Sequence, residues 1–136
     1  MILLTRRATF SASHHYWNPA WSEERNLAVF GRCANRNGHG HNYILEVTVT
    51  GPISPVSGFV VDLKWLKDLI ESEAMSVYDH RHLNLEVPEF ATRIPTTENI
   101  AIAIWQRLDG KIPKAKLHRV RVYEMPDLFA DYYGER

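Results

Sequence analysis

A single cysteine excludes an internal disulfide, so nothing in this chain calls for an oxidising compartment. No apolar run approaches the ~18 residues that cross a bilayer as a helix, and the first residues carry no secretory-signal pattern, so the cytoplasm is the expected location. An excess of charge of one sign is also missing, because 16 Lys and Arg balance 16 Asp and Glu. Neither nucleic acid nor a membrane surface is therefore indicated as a partner, and an anionic ligand has to be met by local cations. Low-complexity tracts, linkers and repeats at solenoid periods are absent. With 136 residues, 45% of them hydrophobic and 24% charged, residues 1–136 read as one soluble globular domain.

What the chain does have is concentrated in one stretch, CANRNGHGHNY over residues 33–43, which brings a thiol, two imidazoles and two glycines together ahead of a β-rich run. Residues 42–50 alternate on period two and read as a strand. Extended backwards, that register puts His39 and His41 on one apolar face with Tyr43, Leu45, Val47 and Val49. Gly38 and Gly40 leave room for a ligand or another backbone. Zinc takes neutral imidazole at about 2.0 to 2.1 Å and usually four ligands, so this pair supplies half a shell. A first strand over residues 2–14 carries Leu4, Ala8, Phe10 and Ala12 in register with His14, which is the preferred third ligand. His15 falls with Ser11 and Ser13 and is expected to face water or a neighbouring subunit. An isolated histidine is more often a hydrogen-bonded structural residue than a ligand. Three on shared apolar faces tip the balance toward a metal site with a reactive thiol beside it.

Residues 16–37 form a polar and aromatic excursion, too long for a tight hairpin and expected to be functional or an oligomer contact. After the turn-rich GPISPVSG, Phe59 to Val61 read as a short extended piece and Asp62 as a helix N-cap. Leu63, Leu66, Ile70, Ala74 and Val77 then give a helix over about 63–77. In the connection that follows, Asp79 stands next to His80, either as a solvated loop or as a carboxylate and imidazole working with the thiol. A second helix opens at residues 95–99, capped by Thr96 or Thr97 with Glu98 in its first turn, and buries Ile100, Ile104 and Leu108, helped by Ala101 and Trp105. The last quarter reads as a hairpin turning at Pro126 and Asp127. In its first strand Glu124 shares a face with Val120 and Val122, opposite Arg119, Arg121 and Tyr123. That inward glutamate is either a frayed strand end or a carboxylate awaiting N–H donors of a planar ligand. The order β-β-α-α-β-β predicts an α+β fold, a four-stranded antiparallel sheet with two helices on one face. Its free edges invite assembly of copies into a barrel.

Phe10 to His14 (FSASH), Cys33 with His39, His41 and Tyr43 after it, Asp79 with His80, the PTTEN of residues 95–99, and Tyr123 with Glu124 occur in the order of the 6-pyruvoyl-tetrahydropterin synthase family. Across nearly its whole length the chain resembles these tunnelling-fold (T-fold) pterin enzymes. The resemblance implies one Zn2+ per subunit on His14, His39 and His41, a catalytic triad of Cys33, Asp79 and His80, and Glu124 as the anchor of the pterin ring. Thr96, Thr97 and Glu98 are implied as pocket residues, although a helix cap explains them equally. It further implies a lyase acting on 7,8-dihydroneopterin triphosphate, eliminating triphosphate to give 6-pyruvoyl-tetrahydropterin; Mg2+ with the triphosphate is a candidate second ion. A homohexamer of two trimers, with sites between subunits, is implied too. The competing activity is 6-carboxy-tetrahydropterin synthase of queuosine synthesis. The five residues between Cys33 and His39 resemble the pyruvoyl enzymes. Met125 departs from the pattern, in which Thr commonly follows the glutamate. A reading of another class is a non-catalytic zinc module closed by Cys33 as fourth ligand. Arg6, Arg7, Lys64, Lys67, Arg119 and Arg121 are candidate cations for the triphosphate.

Overall fold

Residues 1–135 are described by a computed structural model, in chain order β1 (Leu3–His14), α1 (Glu23–Phe30), β2 (His39–Thr50), α2 (Leu63–Ile70), α3 (Ser76–Tyr78), β3 (Arg81–His82), α4 (Leu83–Glu86), α5 (Thr97–Leu108), β4 (Lys116–Met125) and β5 (Leu128–Tyr132). β1 and β2 pair antiparallel from Leu3 opposite Thr50 to His14 opposite His39. Alternation sets that register: Phe10, Ala12 and His14 are buried on β1, and Tyr43, Leu45, Val47 and Val49 on β2. Slipping one residue would turn both apolar rows to water. Leu66 and Ile70 of α2 and Ile100 and Ile104 of α5 close over this face, in one cluster that includes Val120 and Val122 of β4. The other face is polar. There the Thr5 and Thr48 hydroxyls meet at 2.7 Å, Glu46 lies between Arg7 and Arg119, and Arg121 holds Asp131.

The sheet has five strands and is mixed, in the order β3-β1-β2-β4-β5, rather than four and antiparallel. The fifth strand arises from a docking event, not a β-forming sequence. Asp79 accepts the Ser11 N–H at 2.9 Å and the His80 N–H donates to the Ser11 carbonyl at 2.6 Å, which lays Arg81 and His82 parallel to Ala12 and Ser13. The excursion after β1 contains α1, capped by Ser22, whose hydroxyl accepts the Arg25 N–H. Phe59 to Val61 form no strand. Asp62 does cap α2, and α2 continues through a π-turn (Glu71–Met75) into α3. Leu63 is 44% exposed, and Tyr78 is fully buried in the place expected of Val77. The wider π-turn accounts for the change: it holds an extra residue per turn, so burial continues on the four-residue series Leu66, Ile70, Ala74, Tyr78.

Candidate active site

The register of β1 and β2 builds the centre of the site. Because His14 lies opposite His39 and Ala12 opposite His41, three imidazoles emerge on one face at the end of the strand pair. Gly38, just before β2, has φ +75°, and a Cβ there would stand 3.0 Å from both the His14 carbonyl oxygen and His82 Nε2. Only glycine fits that approach. The rings meet edge to face, with centroids 4.7 Å apart for His14 and His39, 5.2 Å for His14 and His41, and 5.0 Å for His39 and His41. His14 Nδ1 lies 2.9 Å from the Pro95 carbonyl, which can only accept, so Nδ1 bears a proton and Nε2 is the nitrogen directed inward. That Nε2 is 3.1 Å from His39 Nε2.

Glu124 completes the cluster from β4. Its Oε1 is 2.9 Å from His41 Nε2 and 3.6 Å from His14 Nε2, while Oε2 accepts the Thr97 hydroxyl at 2.6 Å. It is only 8% exposed, so it is no frayed strand end. The His14 imidazole, with the Thr97 hydroxyl and His41 behind it, outweighs burial and holds the Glu124 carboxyl down at about 2. His39 and His41 shift the other way. Burial first, then neighbouring imidazoles, lowers both below the ordinary histidine value, against the pull of Glu124. One ligand atom from each of His14, His39, His41 and Glu124 lies within 4.8 Å of the other three. His41 Nε2 is buried and, despite its nearness to Glu124, has no hydrogen bond of acceptable geometry. Three converging imidazoles, a carboxylate beside them and an orphaned inward nitrogen fit a divalent metal such as zinc.

The remaining expected residues surround this cluster unequally. Cys33 is half-buried on a 3₁₀ turn (Gly31–Ala34) and does not belong to the group of converging ligand atoms. The turn is tied to the end of β1 by the Tyr16 N–H, which donates to the Cys33 carbonyl at 2.6 Å. Asp79 and His80 do form a pair, Oδ1 to Nδ1 at 3.0 Å, and the Ser11 N–H holds the Asp79 carboxyl below its usual range. His80 has φ +60° and a side chain 83% exposed, and among the described residues no contact joins the pair to Cys33. Thr96 spends its hydroxyl on the cap of α5, accepting the Asn99 N–H at 3.2 Å, whereas Thr97 turns to Glu124. Glu98 is exposed.

A model of the 6-pyruvoyl tetrahydropterin synthase family matches residues 3–135. The chain belongs to that family. It is 45% identical over 132 residues to the 6-pyruvoyl tetrahydrobiopterin synthase of Homo sapiens, covering 97% of this chain and 91% of the relative. Against the Drosophila melanogaster protein of the same name the identity is 43% over 132 residues, covering 96% of this chain and 79% of the relative. The solved 6-pyruvoyl tetrahydropterin synthase of Caenorhabditis elegans superposes with a TM-score of 0.92 at 34% identity, covering 98% of this chain and 96% of that one.

Several residues of this 6-pyruvoyl tetrahydropterin synthase family member escaped sequence reasoning. Tyr16 stands edge-on to the His14 ring at 5.0 Å, and burial, then Glu124, Cys33 and Glu98, push its phenol well above the ordinary tyrosine value. Nothing in the local pattern marks it. Tyr43 was legible as core, but its hydroxyl, 3.1 Å from His14 Nδ1, was not legible as a support for the cluster. His15 does not stand free in water. Its ring packs on His82 at 5.5 Å, with Nδ1 of both buried and unpartnered, because Asn84 clasps the His15 main chain on both sides.

Proposed function

We propose that this chain is a 6-pyruvoyl-tetrahydropterin synthase, converting 7,8-dihydroneopterin triphosphate to 6-pyruvoyl-tetrahydropterin and inorganic triphosphate. The observation that carries the reading is the convergence of His14, His39, His41 and Glu124 in one cluster, buried at His14 and Glu124, next to the turn of Cys33, in a member of this family. Zn2+ held by His14, His39 and His41 would polarise the substrate's side-chain hydroxyls and acidify the adjoining C–H bonds. Glu124, kept ionised and oriented by Thr97, accepts paired hydrogen bonds from the exocyclic amine and ring N–H of the pterin. Cys33 as thiolate takes the proton from the side-chain carbon. His80, oriented by Asp79, returns protons to the rearranging ring. Triphosphate leaves with the C–O bonding pair while hydrogens move from side chain to ring. The oxidation level of the whole is unchanged, so no external oxidant or reductant is needed.

Within one chain the Asp79–His80 pair stands apart from Cys33, and we assign it to the site of a neighbouring copy. The open edges support this. Among the described residues the outer edge of β5 has no strand partner, and β3 covers β1 only at Ala12 and Ser13. Copies joined edge to edge would close a barrel, in trimers that pair as a hexamer. Incubation of the zinc-loaded protein with 7,8-dihydroneopterin triphosphate tests the activity by mass spectrometry of the products. Triphosphate with a pyruvoyl pterin is expected. Acetaldehyde with a carboxylated pterin would assign the chain to the 6-carboxy activity instead, and no turnover would leave a zinc-binding module.

A further inference from the structure

The triphosphate of this substrate brings several negative charges to a chain whose net charge is zero, so its tail must be bound by particular cations. The structure removes most of the obvious ones. Arg7 and Arg119 share Glu46 at 2.6 and 2.7 Å, Arg121 is committed to Asp131 at 2.6 Å, and Lys64 to Asp68 at 2.7 Å. Arg6 lies far down β1 from His14, about 26 Å away at the rise of an extended strand. Lys67 sits on the exposed side of α2.

Two other arginines flank the thiol. Arg32 is its neighbour in the 3₁₀ turn, and Arg36 lies between Cys33 and His39. Both are exposed, and among the described residues neither makes an ion pair. The Arg36 guanidinium lies over the Trp17 ring, 5.0 Å from its centroid. Arg32, Arg36, Asn35 and Trp17 line an open groove of about 590 Å³, in which Glu23 is the one carboxylate.

We propose that Arg32 and Arg36 form the subsite for the triphosphate tail of the substrate; the identity of the anion rests on the function proposed above. Planar guanidinium forks match phosphate oxygens two at a time, and stacking on Trp17 fixes one fork before the ligand arrives. A tail docked on the turn brings the carbon that carries it to the same turn as the thiol. The subsite therefore sorts phosphorylated from unphosphorylated pterins at the binding step.

Inorganic tripolyphosphate is the probe, used on the zinc-loaded protein as a competitive inhibitor and as a calorimetric ligand. Arg32→Ala and Arg36→Ala are each expected to raise both the substrate KM and the tripolyphosphate dissociation constant about tenfold, with kcat changed less than about twofold. Binding of dihydroneopterin, which lacks the phosphates, stays unchanged. A double variant that binds tripolyphosphate as tightly as the wild type overturns the proposal. So does a loss confined to Arg93→Ala, whose side chain lines the neighbouring cavity of about 300 Å³ with His15 and Asn84. If the wild type binds tripolyphosphate, loses it in the double variant and yet forms no pyruvoyl pterin, the subsite stands and the assigned reaction falls.

Discussion

The histidine cluster and the segments that carry Cys33, Asp79 and His80 are built in opposite ways. The cluster stands on two strands paired residue for residue, with His14 fully buried and its tautomer fixed by the Pro95 carbonyl. The thiol stands on a half-buried 3₁₀ turn, and the Asp79–His80 pair on an exposed corner at the other edge of β1. A metal site needs its ligands placed within tenths of an ångström, which strand register supplies. In the proposed reaction Cys33, Asp79 and His80 move protons and must instead meet a substrate that enters and leaves, and they are carried on segments one chain leaves open.

The widest separation should come from removing one group of each kind. His39→Ala is expected to lose bound zinc almost completely by elemental analysis, and activity with it. Cys33→Ala should keep its zinc and its melting temperature while kcat falls about 10²- to 10⁴-fold; loss of zinc in that variant would make the thiol a ligand and erase the contrast. Next in size is complementation. Cys33→Ala and His80→Ala chains, each inactive alone, should regain a measurable fraction of wild-type activity when co-expressed, because mixed oligomers would contain some intact sites. Purified mixed species with no recovery would place the whole triad in one chain.

Smaller effects probe how rigidly the cluster is held. Gly38→Ala should destabilise by about 1–2 kcal/mol from its left-handed backbone, and by more through contact with the His14 carbonyl. Gly58→Ala has φ +76° with nothing within 4 Å of the added Cβ, and so isolates the backbone share in a denaturant titration. Equal losses at the two positions would show the cluster to be yielding. The smallest effect concerns pH. Burial raises the Glu89 carboxyl, but hydrogen bonds from Arg107 and Tyr78 overcome it and bring it from 4.5 to about 2. A depressed carboxyl contributes stability that is full above pH 4.5 and lost as pH falls toward 2. Glu89→Gln should therefore be less stable near neutrality and show a flatter decline across that acid window.

Register made the cluster legible in advance: period two alone separated His14 from His15 and put His39, His41 and Glu124 on inward faces. Caps and apolar spacing announced a helix over about 63–77 and another opening at residues 95–99, and the structure has helical turns from Leu63 to Tyr78 and from Thr97 to Leu108. What stayed hidden depends on contacts remote in sequence. β3 exists because Ser11 receives the Asp79–His80 corner, and no local propensity announces two strand residues. α1 was concealed because its one buried residue is polar. Asn26 accepts the Asn18 N–H at 2.7 Å and donates to the Asn18 and Ser22 carbonyls, so burial there follows hydrogen bonding and not hydrophobicity.

The π-turn at Glu71–Met75 also acts as a phase correction. A strict four-residue repeat overshoots a regular helix by about 40° at each step, so from Leu66 to Tyr78 a buried stripe would wander about 120° around the axis. Widening one turn takes up part of that excess, and Tyr78 arrives on the same side as Leu66, fully enclosed. Asp79 begins one residue later. The direction in which the acid–imidazole pair leaves the helix is thus set upstream by a single surplus residue, and deleting one residue between 71 and 75 would turn the corner away from Ser11 with Asp79 and His80 themselves unaltered.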